Sequence, residues 1–506
     1  MVERRTRPAR GGGRAARVQA RTNPAPVYLP TLNRAVGPID LLGPDGVERI
    51  HNAAMTILET TGIEFRDPVA LADWKKAGAD VTGNRVRIGR DMLMDLIACV
   101  PKSWDYYARN PERNARVGGR DTVFANAYGA PFVYGMDGVR RPSTLEDAHN
   151  FFKMAQMSQA MHVPGILPVE PQDVPVPQRH LELVHAALTL TDKPIKGSVL
   201  SETAARDTMD MLRIVHGEEF VDQNVVVAAL LNCNTPLVWD DTMLQSLRVY
   251  AAANQPCLLT PFVLAGASAP ASPQAGVALL IAESLAGIAY AQLIRRGAPM
   301  VLGVVLMGVS MKTGAPMTGT PEPGLMNLII GQMARYYGVP WRSCTQWTCS
   351  KATDIQAGFD SANTMWPVLL GGCNYVVHSA GFLEGALAVS YSKWVQDSYQ
   401  LETYHRFFSG LQDENLDALL GDIAEIGPGG HFLGTDHTRE HPFLMNPIQN
   451  NDSYEQWLDE GAKTADIVGQ EEARRIIDTY VQPPMPVDQR GALDEFVARK
   501  KQEYSQ

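Results

Sequence analysis

The sequence predicts a (β/α)8 TIM barrel, with an N-terminal α+β region before it and a C-terminal helical extension after it. Three observations lead there. Short apolar runs alternate with longer helical segments eight times between residues 121 and 408. The runs are continuously apolar, as in parallel strands covered on both faces. The first strand–helix junction, Tyr128-Gly129-Ala130-Pro131, lacks the GxGxxG turn of a dinucleotide-binding open sheet. Eight units favour a closed barrel over the open doubly wound sheet, the second architecture considered.

Taken in order, residues 1–22 form an Arg-rich tail expected to be disordered, with seven Arg against one Glu. Residues 23–120 make the α+β region. Val47, Ile50, Ala53, Ala54, Ile57 and Leu58 recur at helical spacing over 46–62. GIEFRDP (62–68) and VTGNRVRIGR (81–90) read as short strands, with helices over 67–77 and 92–99. In the barrel, 121–408, the predicted strands are 122–127, 162–167, 195–199, 225–231, 257–263, 301–306, 341–346 and 374–379. The helices between and after them are 145–158, 177–190, 202–216, 240–252, 276–295, 324–337, 355–369 and 385–408. Residues 409–506 read as a helical extension broken at IGPGGHFLG and QPPMP.

Composition narrows the function classes. The 506 residues carry 45 Lys+Arg and 55 Asp+Glu, and the basic tail makes the rest more acidic still. An acidic body argues against nucleic acid as a partner. Six scattered cysteines without a CxxC do not make a disulfide scaffold or a zinc ribbon. The start lacks a signal-peptide h-region, and the most apolar stretch, 276–294, contains Glu283, Ser284 and Gln292 and reads as a buried helix rather than a membrane span. The expectation is a cytoplasmic protein, and size and surplus helices predict a homo-oligomer.

Active residues of such barrels lie at the C-terminal ends of the strands. Those positions offer Tyr128, Phe132, Glu170, Asn232, Gln346, Trp347, His378, Phe382 and Glu384, with Lys312 a weaker candidate. The set is rich in aromatics and poor in paired catalytic groups; GxSxG, HExxH and P-loop motifs are missing. Ring faces with a carboxylate nearby suit a quaternary ammonium, although aromatics at strand ends also serve as packing. Glu384 and Glu322 fit helix N-termini equally well. His431, Asp436, His437 and His441, or Cys344, Cys349 and Cys373 with His378, have the donors for a metal but loop-like spacing.

GIEFRDP (62–68), ARNPERN (108–114), TVFANAYGAPFV (122–133), RHLELVHA (179–186), TPLVWDDTML (235–244), TGAPMTGTPEP (313–323), SKATDIQAGFDSANT (350–364), GFLEGAL (381–387) and GPGGHFLGTDHT (427–438) together resemble the MttB superfamily, the trimethylamine methyltransferase family. The resemblance spans residue 35 to the C-terminus. It implies a (β/α)8 barrel that moves a methyl group from a methylated amine to the cobalt of a corrinoid (cobalamin-binding) partner protein. Founding members carry a pyrrolysine near the end of the seventh strand. The corresponding zone here, Thr345–Cys349, holds standard residues. The resemblance is therefore to the branch without pyrrolysine, which includes glycine betaine:corrinoid methyltransferases.

That chemistry suits a sparse catalytic inventory. The cobalt is the nucleophile, and a quaternary amine leaves as a neutral tertiary amine, so no general acid is needed. The protein holds the cation, aims a methyl group and excludes water. On this reading Tyr128, Phe132, Trp347 and Phe382 surround the ammonium. Glu170 or Glu384 is a secondary charge partner, and Asn232, Gln346 and His378 receive the substrate's carboxylate. No metal is expected to bind directly to the chain. Two other readings stay open: a metal-assisted hydrolase or lyase, and a non-catalytic betaine-binding protein.

Overall fold

The computed structural model describes residues 28–411, 415–440 and 443–504; the Arg-rich tail and His441 lie outside them. The core is a parallel sheet wrapped by helices. Its pairing order is Ile195–Gly197, Val227–Cys233, Cys257–Ala265, Met300–Gly303, Trp341–Cys344, Tyr375–Val377 and Asp121–Phe124. Of these seven strands, the last in chain order thus returns to the first, in the register Tyr375↔Val123 and Val376↔Phe124.

The predicted strand at 162–167 is not formed. That segment makes a single bridge, Ala125↔Val163, and the Gly165 carbonyl accepts from the Lys196 amide at 3.4 Å. The cause is Pro164-Gly165: proline has no N–H for the ladder, and Gly165 sits at φ +87°. Regular pairing therefore does not run round a full circle. The sixth predicted strand is split in two, Met300–Gly303 and Val305–Val309.

Helices follow the strands at Leu145–Met157, Val176–Leu190, Glu202–His216, Asp241–Ala252, Pro273–Ile294, Pro321–Tyr337, Ile355–Leu370 and Tyr391–Phe408; the last starts six residues later than predicted, because Ala388–Ser390 pairs as a strand with Phe132–Tyr134. Most of their starts are set by short polar caps in the preceding loops. Thr144, Ser201, Asp240, Ser272, Asp354 and Ser390 each accept a backbone N–H of the first turn. The other two, Val176–Leu190 and Pro321–Tyr337, have no side-chain cap and carry a proline in the first turn instead.

One end of the space the sheet curls around is plugged. The hairpin Ser103–Tyr106/Ala115–Gly118 leads into Asp121–Phe124. Its Trp104, Tyr106, Ala115 and Val117 pack with the inward residues Val123, Ala228, Leu258, Val301 and Tyr375. Tyr107 N donates to the Val225 carbonyl at 2.8 Å, which places the plug at the strands' N-terminal ends. The other end is left for the loops.

Pro44–Thr56 and Arg90–Ile97 pack on Pro273–Ile294, and Ile63–Phe65 pairs with Val238–Trp239. That covering explains why Pro273–Ile294 is apolar all round: it is long enough to cross a membrane but is 89% buried inside the fold. Farther on, Ala465–Asp478 packs on Tyr391–Phe408 and Leu145–Met157. Val487–Glu503 packs on Val176–Leu190 and Glu202–His216. Between them the described part of 415–458 contributes no buried residue.

Candidate active site

At the C-terminal ends of the strands Trp341–Cys344 and Tyr375–Val377, three rings stack. The Trp347 and His378 centroids lie 5.5 Å apart at 23°, and His378 and Phe382 lie 4.8 Å apart at 27°. Trp347 and Phe382 are 6.5 Å apart. All three are buried. Two residues here hold positive φ without being glycine, Gln346 at +53° and His378 at +61°. Such backbone strain persists where the surroundings over-determine it, and it gathers at functional sites.

What over-determines it is a buried network on Tyr391–Phe408. Lys393 Nζ donates to the Gln346 carbonyl (2.8 Å), to Ser361 Oγ (2.9 Å) and to Asp397 Oδ2. Asp397 in turn accepts the Gly381 amide at 2.8 Å. Gln346 Nε2 donates to the Ser379 carbonyl, and the Gln346 amide donates to Thr364 Oγ1. One ion pair thus ties the loop carrying Trp347 to the loop carrying Phe382. Thr348 and Thr318 both donate to Asp360 Oδ2, which adds the preceding loop to the cluster.

The other candidates lie around this stack in different states. Tyr128 is half-buried; its enclosure and the Glu170 charge push its phenol up to about 12. Glu170 itself is bound to Arg179 Nη1 at 2.5 Å. Phe132 carries the Arg140 guanidinium 3.8 Å above its ring. Arg140 continues to Glu384 in a two-pronged contact of 2.8 and 2.9 Å, and Tyr134 Oη donates to the same carboxylate at 2.6 Å. The Arg140 hydrogen bonds hold the Glu384 carboxyl below its usual range. Asn232 is exposed, in register with buried Thr260, and Phe262 beyond it is 41% exposed. This side of the mouth is open. Lys312 is exposed on its loop.

Two charged residues escaped sequence reasoning. Lys196 and Arg342 sit inside predicted apolar strands, and both are fully buried. Arg342 Nη1 donates to the Val304 carbonyl, while Nε and Nη2 have no hydrogen-bond partner among the described residues. Lys196 Nζ has none either; it lies 5.2 Å from the Tyr128 ring centre and 5.9 Å from that of Tyr375. Nor does His378 Nδ1 have a partner. Burial, then the charges of Arg342 and Lys196, drive the His378 imidazole well below its ordinary value, so it stands neutral. A charged residue inside an apolar run was the available signal, since unpaired buried charges are rare.

Among the described residues no group of three or more His, Cys, Asp and Glu side chains is placed to hold a metal ion. Cys344 and Cys373 are buried thiols raised by desolvation, the opposite of an activated thiolate.

A family model described as trimethylamine methyltransferase (MTTB) matches residues 10–505. The chain belongs to this family. Relatives of this trimethylamine methyltransferase family member include a glycine betaine methyltransferase of Desulfitobacterium hafniense (strain Y51). It is 35% identical over 470 residues, covering 92% of this chain and 98% of the relative. A proline betaine:corrinoid methyltransferase of Eubacterium limosum is 26% identical, covering 78% and 83%. A trimethylamine methyltransferase MttB of Desulfitobacterium hafniense (strain DSM 10664 / DCB-2) is 24% identical, covering 90% and 92%. Among solved structures, the monomethylamine methyltransferase (MtmB) of Methanosarcina barkeri superposes with a TM-score of 0.51 at 11% identity, over 88% of this chain and 90% of that one. That likeness concerns the α/β fold alone.

Proposed function

We propose that this chain is a cytoplasmic, corrinoid-dependent methyltransferase that removes a methyl group from a quaternary amine of the betaine class, with glycine betaine its first candidate. The observation that carries the reading is the stack of Trp347, His378 and Phe382 at the end of the barrel opposite the plug. The relative at 35% identity names the substrate class, and standard residues fill Thr345–Cys349. In this reading the eight-stranded barrel closes through 162–165.

The rings offer their faces to a cation without hydrogen-bonding it. A quaternary nitrogen has no N–H, so nothing is left unsatisfied. Burial of Trp347 and Phe382 keeps water from the methyl groups. The departing amine is neutral, which accords with a neutral His378 and with the Arg partners that occupy Glu170 and Glu384. Tyr128, Phe132 and Asn232 then line the approach, and Gln346 positions the two loops. A corrinoid on its partner protein supplies the metal centre that accepts the methyl group. The exposed strand-end loops suit such a partner: Met311, Ile355, Phe359 and Leu387 are all exposed there. The exposed apolar residues of 415–458, among them Leu420, Phe432 and Phe443, support assembly with a second copy.

The test mixes purified protein with cob(I)alamin and a panel of methylated amines, and follows the absorbance of the methylated corrinoid. Methylation from glycine betaine but not from trimethylamine is expected. Methylation from trimethylamine alone overturns the reading, as does stoichiometric zinc with hydrolytic turnover. Trp347→Ala should weaken glycine betaine binding about 30-fold, the order of a lost desolvated cation–π contact; calorimetry checks this, and unchanged affinity removes Trp347 from the cage.

A further inference from the structure

We propose that Lys196, Arg342 and His378 Nδ1 form an anion subsite inside the barrel that receives the substrate's carboxylate, so that the protein selects zwitterionic betaines over cations lacking a carboxylate. The inference deepens the proposed function and rests on that reading of the site. Two features of the structure carry it.

The first is an unmatched set of donors. Lys196 and Arg342 are fully buried, and Lys196 Nζ, Arg342 Nε and Arg342 Nη2 have no acceptor among the described residues. A buried charge without a partner costs several kcal/mol and is retained where something else answers it. The charged or titratable neighbours of Lys196 are Arg342 and the Cys344 thiol, with no carboxylate among them. Lys196 Nζ lies over the rings of Tyr128 and Tyr375, whose faces attract the ammonium but give its N–H groups no hydrogen-bond acceptor. This contrasts with Lys393, equally buried, which has Asp397, Ser361 and the Gln346 carbonyl.

The second is position. Strand residues two apart face the same way. Tyr375 and Val377 belong to the barrel's interior cluster, and Arg342 and Cys344 are paired with them in the register Arg342↔Tyr375 and Cys344↔Val377. Arg342 therefore points into the barrel, below the ring stack. Lys196 reaches toward Tyr128 at the mouth. His378 belongs to both parts: its ring stacks against both Trp347 and Phe382, which also face each other at 6.5 Å, and its Nδ1 is one of the unmatched atoms. A cation against the rings and an anion against Lys196 and Arg342 would then sit side by side, at the short charge separation of an amino-acid betaine. A lone cation such as choline would meet the Arg342 charge with no carboxylate between them, and would do nothing to hold the proton of Lys196, which burial and Arg342 push well below its ordinary value.

The experiment measures binding by calorimetry to the full chain with three probes: glycine betaine, choline and 3,3-dimethylbutanoate, the uncharged-carbon analogue that keeps the carboxylate. Wild type should bind glycine betaine about 50-fold or more tighter than choline, the order expected for a desolvated charge pair. It should also bind 3,3-dimethylbutanoate measurably. In Lys196→Met and Arg342→Met the betaine-to-choline ratio should fall to about threefold or less, with 3,3-dimethylbutanoate binding lost. Lys196→Arg and Arg342→Lys keep the charge and should keep most of the preference, which separates the subsite from a folding defect. Equal affinity for betaine and choline in wild type overturns the proposal. So does an unchanged ratio in both Met variants, or failure of wild type to bind either carboxylate probe. Methyl transfer to cob(I)alamin is scored separately. Binding selectivity without transfer would leave the subsite standing and remove the methyltransferase reading. Transfer from betaine with an unaltered ratio in the variants would do the reverse.

Discussion

The rim formed by the strand-end loops and the interior the sheet encloses treat charge in opposite ways. At the rim, Glu384 is gripped by Arg140 and Tyr134, and Glu170 by Arg179. In the interior, Lys196 and Arg342 pair with no carboxylate among the described residues. Water at the rim would have screened unpaired acids cheaply, yet they are paired; the interior offers no screening, yet Lys196 and Arg342 are not paired with an acid as Lys393 is. The difference teaches where the protein is complete by itself and where it is arranged for something to arrive. Anchored rim acids hold loops. Unanswered interior cations hold a ligand.

The largest effect expected from pressing on this contrast comes from the interior charge that does have a partner. Lys393→Met leaves Asp397 buried without its cation, and should cost about 3–5 kcal/mol of stability in denaturant unfolding. A loss under about 1 kcal/mol would mean that pairing is not what separates Lys393 from Lys196. Next is Glu283, buried in Pro273–Ile294 and receiving the Leu237 amide and Thr235 hydroxyl. Burial raises it to about 7 from an ordinary 4.5. Its folded value lies above its unfolded value, so its stabilising contribution is full below about pH 4.5 and is lost as pH rises through about 7. The change is worth roughly 3 kcal/mol. Urea midpoints at pH 5 and pH 8 should show it in wild type, and Glu283→Gln should flatten it.

Smaller, but of opposite sign, is the effect of removing an unanswered cation. Lys196→Met should raise the stability of the ligand-free protein by about 1–2 kcal/mol, because the replacement fills the same space without a buried charge. Stabilisation by ligand should fall in the same variant. A thermal melt with and without glycine betaine reads both, and a lowered melting temperature without ligand would show Lys196 to be a structural group. The smallest effect belongs to the rim. Glu384→Gln breaks a partly exposed pair and should change stability by less than about 1 kcal/mol in the same melt.

Much of this was legible in the sequence. Helices with polar caps and apolar faces lie where periodicity places them, within about three residues, except that 385–390 was read as helix and holds the strand Ala388–Ser390. Trp347 and Phe382 follow predicted strands and His378 lies near the end of one, so the three were picked out as candidates, but their stacking was not. The unformed strand at 162–167 was misread because apolar content outweighed Pro164-Gly165 in the middle of the run. Lys196 and Arg342 were passed over for a related reason: a run judged apolar as a whole hides the single charged residue inside it. The partners of Glu170 and Glu384 were out of reach, since pairing with Arg179 and Arg140 depends on how loops fold over the mouth. Nothing in the sequence spacing showed that Lys393 would join two of those loops.

The interrupted pairing at Val163 and Gly165 has a mechanical consequence. A hoop with one loose clasp yields at the clasp, and here it adjoins the strand that carries Lys196. The segment 162–167 is held beside that strand by a single long hydrogen bond, whereas the strands Val227–Cys233 and Cys257–Ala265 share a ladder five residues long. Opening should therefore begin between Gly165 and Lys196. The lysine would be carried by the hoop's most compliant edge, and the arginine by its stiff side. A guest seated between the two would fasten the clasp.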